Sequence, residues 1–261
     1  MDQAERRKFL IQRLLDEQPR YKDMDIPRGK AEQKHLLRSL FNIRMPKNIS
    51  NDFLAIQDEY LQEETAAKGI TDLADLSPVS KDIYLWRGDI TTLRCDAIVN
   101  AANSGMTGCY APCHGCIDNC IHTYAGIQLR LECAKIMRMQ GREEETGKAK
   151  ITSAYNLPCK YVIHTVGPII SASNEPTKKD KELLASCYRS CLELAGQNGV
   201  KSIAFCCIST GEFHFPNDKA AEIAVQAVKD YKGQTGSDME VIFNVFKEID
   251  YEIYRGLLCA D

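Results

Sequence analysis

Between Cys109 and Cys120 the chain carries four cysteines and one histidine: Cys109, Cys113, His114, Cys116 and Cys120. Thiolate sulfur and imidazole at such close spacing form the donor set that zinc (Zn2+) prefers and that magnesium and calcium do not. The pattern Cys109-x4-His114-x-Cys116 is not the paired C-x2-C of a structural zinc site. It offers three donors, and three protein donors with an open fourth position is the arrangement of a catalytic metal. A fourth donor from Cys113 would close the site. The plainer alternative is a set of free thiols in a cysteine-rich, reduced protein.

These residues must be held by a loop. Asp96-Ala97-Ile98-Val99 reads as a buried strand, and the pattern from Asp118 to Gln140 reads as a helix capped by Asp118 or Asn119, with Ile121, Ala125, Leu129, Cys133 and Ile136 on one face. Between them, Ser104-Gly105 and Thr107-Gly108 permit sharp turns and Pro112 stiffens the segment. A loop between strand and helix is where an α/β protein places its chemistry.

Further elements alternate in kind. Ile83–Trp86, Ala149–Ala154, Lys160–Thr165, Ser202–Ile208 and Glu240–Phe246 read as strands. Thr177–Gln197, Asn217–Lys229 and Glu248–Leu257 read as helices, the second capped near Asn217 or Asp218. This alternation indicates an α/β three-layer sandwich over residues 71–261. Residues 1–70 read as helical, with narrow apolar stripes such as Phe9, Leu10, Leu14 and Leu15 and a cap at Ser50 or Asn51. They are expected to form an extension packed on the main domain, or a partner-docking surface.

Several motifs in order resemble a macrodomain, the ADP-ribose-binding module. They are Trp86-Arg87-Gly88-Asp89-Ile90-Thr91, Asp96–Asn103, Cys120-Ile121-His122 with Ala125-Gly126, Val162–Pro168, and Ile208-Ser209-Thr210-Gly211. The resemblance covers roughly residues 80–260. One departure is informative: of the glycine-rich run that most macrodomains carry before the helix, only Gly108 and Gly115 remain, and Cys, His and Pro fill the rest. In this the chain is similar to the zinc-dependent macrodomain subfamily of microbes, which also carries an N-terminal helical addition.

The resemblance implies an α/β/α sandwich with a mixed sheet and an activity: zinc-dependent hydrolysis of mono-ADP-ribose from protein side chains. It implies that Asp89 accepts the adenine amino group, with Ile90 beside it. It implies that Ser209, Thr210, Gly211, Glu212 and Phe213 wrap the diphosphate and distal ribose. Asn103 would bind the distal ribose hydroxyls, and Cys116, Ile117 and Asp118 would line the same end. Asp118 would assist a catalytic water, besides its local role at the start of the helix. Zinc would sit on Cys109, His114 and Cys116, as a Lewis acid or by activating a bound water. The subfamily further implies a sirtuin-type ADP-ribosyltransferase as partner and a lipoyl-carrier protein as target. His122 and His164 read as core histidines, and His214 lies within reach of the site. Two rival readings stay open: a non-catalytic ADP-ribose reader with a closed structural zinc, and a redox sensor built on the cysteine cluster.

Composition bounds the rest. The 261 residues are 44% hydrophobic and 26% charged, the balance of an ordinary globular protein. A net charge of −3 and a pI near 6.0 argue against nucleic acid or an anionic membrane as main partner. Small anions remain possible ligands, because helix N-termini bind them without net basic charge. No apolar run reaches the length of a membrane helix, and no apolar stretch follows Met1–Arg7 as a secretory signal requires. Twelve cysteines in such a chain indicate a reducing, cytoplasmic setting. Cys133, Cys159, Cys187, Cys191 and Cys259 are expected to be small buried residues.

Overall fold

The computed structural model describes residues 1–171 and 175–259. Three helices come first: α1 (Gln3–Asp16), α2 (Lys30–Ile43) and α3 (Asn51–Lys68). Asp2 and Glu5 close a capping box on α1, and Ser50 Oγ accepts from Phe53 N–H at the start of α3. Their apolar stripes meet one another around Leu10, Leu14, Leu37, Phe41, Phe53 and Leu61, with Ile127 of the main body added. The extension therefore has a hydrophobic cluster of its own, and it meets the main body largely through polar groups.

The chain continues through β1 (Thr71–Asp72), β2 (Ile83–Arg87), β3 (Leu93–Arg94) and β4 (Ala97–Ala102). Then come α4 (Ile117–Ala125), α5 (Ile127–Gln140), β5 (Ala149–Ser153) and β6 (Tyr161–Val166). The remainder is α6 (Lys178–Gln197), β7 (Ser202–Phe205), α7 (Asn217–Thr235), β8 (Glu240–Val245) and α8 (Glu248–Leu258). Six strands form one sheet in the order β2-β8-β7-β4-β6-β5. Only β5 runs antiparallel to its neighbour, so the sheet is mixed. The parallel strands are continuous apolar runs, such as Ile98-Val99 and Val241-Ile242-Phe243, as strands covered on both faces must be. Helices α6, α7 and α8 pack side by side, while α4 lies on β4 and α5 on β5. The α/β/α sandwich expected from the sequence is the fold found. Its five parallel strands send their carboxyl ends to one edge, and the loops leaving that edge hold Asp89, Asn103, the Cys109–Cys116 cluster and the Ser209–Phe213 segment.

Local expectations change in five places. The helix over Asp118–Gln140 is two helices, broken at Gly126. Gly126 has φ +95°, and a Cβ there would lie 2.6 Å from Gln57 Nε2; Gln57 Oε1 also takes the Ile127 N–H at 3.1 Å. The cap of α4 is Cys116, not Asp118 or Asn119. The strand over Ser202–Ile208 ends at Phe205, because the chain then turns, with Thr210 N–H reaching Cys207 O. Helix α7 has no side-chain cap; the Asn217 amide bonds Asp250 instead. Among the distant cysteines, Cys259 is exposed, because it follows the last turn of α8 and no element covers it.

Candidate metal centre and ligand crevice

The loop after β4 brings three of its donors together. Cys109 Sγ lies 3.7 Å from His114 Nδ1, and the donor atoms of Cys109, His114 and Cys116 lie within 4.8 Å of one another. Donors around a tetrahedral zinc stand about 3.6–3.8 Å apart, given Zn–S near 2.3 Å and Zn–N near 2.1 Å. The set therefore fits one ion with small movements. His114 turns its other nitrogen, Nε2, toward Glu212 Oε1 at 3.5 Å, the outer carboxylate placement that fixes a ligating imidazole. Burial pushes the Cys116 thiol up to about 12, and a metal binding the thiolate would displace that proton.

Cys113, open as a fourth donor from the sequence, points elsewhere. It sits at φ +52°, and its Sγ lies 3.2 Å from Ser39 Oγ and 3.4 Å from His35 O. Cys120 faces Arg38 Nη2 at 3.5 Å. Among the described residues the cluster gathers three donors, Cys109, His114 and Cys116.

Asp118 stands in the first turn of α4, two residues past Cys116, and is 5% exposed. Its Oδ1 accepts from Asn100 Nδ2 at 2.8 Å and its Oδ2 from Asn103 Nδ2 at 3.3 Å. Burial raises its carboxyl to about 6, against the Asn100 hydrogen bond and the Arg130 charge. Asn103 is fixed in turn: its Oδ1 accepts from Gly105 N–H at 3.0 Å, and its Nδ2 also donates to Gly108 O at 3.2 Å. His122, one turn along, lies 3.6 Å from Asp118 Oδ1, beyond hydrogen-bond length. Gly108 presses on its ring: a Cβ there would lie 2.7 Å from His122 Cγ.

Beneath them, strand register sets Asn100 beside His164. Asn100 Nδ2 donates to His164 Nδ1 at 3.1 Å, which leaves Nε2–H for Thr152 Oγ1 at 3.0 Å. Both histidines are buried, as their apolar settings suggested. Burial lowers His164 to about 3, and it lowers His122 strongly, with the His164 and Arg130 charges adding. The unfolded chain therefore takes up two protons near pH 6.5 that the folded chain refuses, and stability falls as pH drops below 6.5. Asp118 acts in the opposite sense: the folded state gains a proton near pH 6 while the unfolded one waits until about 4. Two groups outweigh one, so stability should drop by on the order of 2 kcal/mol between pH 7.5 and 5.5. Urea unfolding with a chelator present checks this; equal or greater stability at pH 5.5 contradicts it.

The other loops complete a crevice. Asp89 caps a short turn after β2: its Oδ1 accepts from Thr91 N–H at 3.0 Å and Thr91 Oγ1 at 2.6 Å, and its Oδ2 from Lys68 Nζ at 2.9 Å. Burial would raise its carboxyl, but the Thr91 and Lys68 bonds outweigh it and hold it below the usual range. Ile90 is 2% exposed, so its side chain offers a ligand almost no surface. The loop after β7 places Ser209 at φ +67°, and its buried Oγ has no partner among the described residues. Thr210 Oγ1 and N–H both bond Cys207 O, and Phe213 O receives Ile170 N–H. Gly211 and Glu212 are exposed and Phe213 is half-buried; His214 is exposed and has no contact with the cluster among the described residues. Sequence reasoning missed Phe246, which it placed at the end of a strand. Arg87 pairs with Val245, so the register sets Phe246, 78% exposed, beside Gly88. The signal was a large aromatic immediately past a largely apolar strand.

A mixed-sheet α/β/α sandwich with its polar loops gathered on one carboxyl edge defines a class of proteins that bind ligands across that edge. Within that class the comparisons are specific. The family profile described as Macro domain matches residues 99–224. A protein-ADP-ribose hydrolase of Treponema medium is 62% identical over 262 residues, spanning 99% of this chain and 100% of that protein. A protein of the same name from Staphylococcus aureus is 52% identical, over 87% of this chain and 85% of that one. The structure of the Trypanosoma brucei macrodomain in complex with ADP-ribose matches with a TM-score of 0.65 at 31% identity, covering 85% and 94% of the two chains. The chain belongs to the macro domain family.

Proposed function

We propose that the chain removes ADP-ribose from modified proteins by hydrolysis at the anomeric carbon of the distal ribose. The observation that carries this reading is the start of α4: Cys116 of the donor cluster and the buried carboxylate Asp118 stand two residues apart. A binding module needs neither feature so placed. The names of the 62% and 52% identical relatives support the same activity.

Asp89 takes the adenine amino group, and Phe246 offers the ring a flat apolar face. Ser209, Thr210, Gly211, Glu212 and Phe213 receive the diphosphate and distal ribose, with the positive-φ turn at Ser209 directing groups inward. The first turn of α4, from Cys116 through Ile117, adds backbone donors at a helix N-terminus. Asn103 orients the distal ribose and holds Asp118, which takes a proton from the attacking water. Cys109, His114 and Cys116 would hold zinc, which when bound supplies a positive charge to polarise a ribose oxygen or lower the pKa of water.

The family resemblance extends the proposal to mono-ADP-ribose as substrate, a sirtuin-type transferase as its source, a lipoyl-carrier protein as target and the cytoplasm as setting. No helix among the described residues is long and apolar enough to cross a membrane. The test is to incubate a protein carrying mono-ADP-ribose with this chain and quantify free ADP-ribose by chromatography. Release supports the reading; binding of ADP-ribose without release returns the site to a reader.

Asp89→Ala and Phe246→Ala should each weaken ADP-ribose binding by about 1–3 kcal/mol, the worth of a charged hydrogen bond or of one stacked base. Isothermal calorimetry on folded variants measures both. Unchanged affinity in either removes that residue from the adenine site.

A further inference from the structure

The donor loop has little to hold it from within. Between Tyr110 and Cys116 it makes one backbone hydrogen bond of its own, His114 N–H to Ala111 O at 3.3 Å. Its order comes from helix α2 of the N-terminal extension, more than sixty-five residues earlier in the chain. We propose that Arg38 and Asn42 are positioning residues for the Cys109–His114–Cys116 cluster, so that the extension is a working part of the metal centre. This rests on the metal reading above.

Arg38 Nη2 donates to His114 O at 2.8 Å and to Asn119 Oδ1 at 2.9 Å. Asn119, fully buried, carries the restraint onward: its Nδ2 donates to Ala111 O at 2.9 Å and its backbone N–H to Cys116 Sγ at 3.4 Å. One guanidinium therefore fixes the backbone of one donor residue and, through the buried residue Asn119, whose backbone N–H bonds Cys116 Sγ, bears on the sulfur of another. Asn42 fixes the turn between Cys109 and His114. Its Oδ1 accepts from Cys113 N–H at 2.8 Å, and its Nδ2 donates to Thr123 Oγ1 at 2.9 Å, which donates to Asn119 O at 2.7 Å. Cys113 needs such a hold, because non-glycine residues avoid positive φ. That fold of the loop sends Cys113 toward α2 and leaves His114 and Cys116 on the other side. The first donor is tied to the same helix: Arg130 donates to Asn42 O at 2.6 Å and Cys109 O at 3.4 Å. Groups behind the ligands that fix their orientation set metal affinity, and here they form one closed network.

The test loads full-length protein with zinc and follows transfer of the metal to a chromophoric chelator, with ADP-ribose affinity measured in parallel. Arg38→Ala and Asn42→Ala should release zinc about tenfold faster or more, the scale found for outer-shell partners. ADP-ribose affinity should stay within about twofold, because Asp89 and the Ser209–Phe213 loop lie elsewhere. Lys34→Ala, also on α2 but paired with Glu64, should behave as wild type. Arg38→Lys, which keeps the charge without the fork, should release faster than wild type but slower than Arg38→Ala. If the alanine variants do not fold, Arg38→Lys decides the question. Release at the wild-type rate overturns the proposal, as does equal loss of zinc and ADP-ribose affinity, which would mean general unfolding. A wild-type chain that holds no zinc at all overturns the metal reading and this inference together.

Discussion

Replacing Cys109 or Cys116 with alanine should lower ADP-ribose release by more than about 100-fold, beyond the 10–100-fold cost of losing an outer-shell partner. Zinc content should fall in parallel. Each change removes one of only three donors, because Cys113 is held against Ser39 and His35 and cannot substitute without unwinding its turn. ADP-ribose binding should weaken much less, since the proposed adenine and diphosphate contacts lie on the loops after β2 and β7. Cys113→Ala separates ligand from bystander: it should keep zinc and activity. Full activity in Cys116→Ala, or zinc loss in Cys113→Ala with Cys116→Ala intact, would reverse the assignment.

The second large effect belongs to Asp118. Asp118→Ala should slow release by roughly 10²–10⁴-fold, the usual cost of losing a general base, while zinc stays bound. The alanine variant also leaves the Asn100 and Asn103 amides without their carboxylate acceptor, which should cost about 1–3 kcal/mol of stability. Asp118→Asn keeps a side chain of the same shape and should fold better yet be comparably slow. Single-turnover release on folded protein with measured zinc content separates chemistry from metal loss. A wild-type rate in Asp118→Asn would remove the carboxylate from the mechanism.

What the sequence made legible was local. The apolar runs that became β4, β7 and β8 could be read because a doubly covered strand leaves its mark in consecutive residues. The clustering of Cys109, His114 and Cys116 could be read because its members lie within eight positions, and the place of Asp89 just past β2 because it follows a strand-like run and a glycine. What stayed hidden depends on contacts across the chain. Gly126 resembled an ordinary helical glycine until Gln57, from α3, claimed the space and the N–H beside it. Nothing near Cys113 announces that Asn42 would turn it away from the cluster. Residues 1–70 read as an appendage with narrow apolar stripes, and no local pattern could assign Arg38 to the carbonyl of His114. Phe246 was hidden for a different reason: an aromatic after an apolar run extends a strand as readily as it ends one, and only the register against β2 decides.

The central claim is that this chain hydrolyses ADP-ribose from proteins with the help of a metal on Cys109, His114 and Cys116. Its most direct test is the rate of ADP-ribose release by protein stripped of metal and assayed with chelator, against the same protein restored with one equivalent of zinc. Release should stay near background without metal and recover on adding zinc, with ADP-ribose bound in both states. Full release by metal-free protein in the presence of chelator would contradict it.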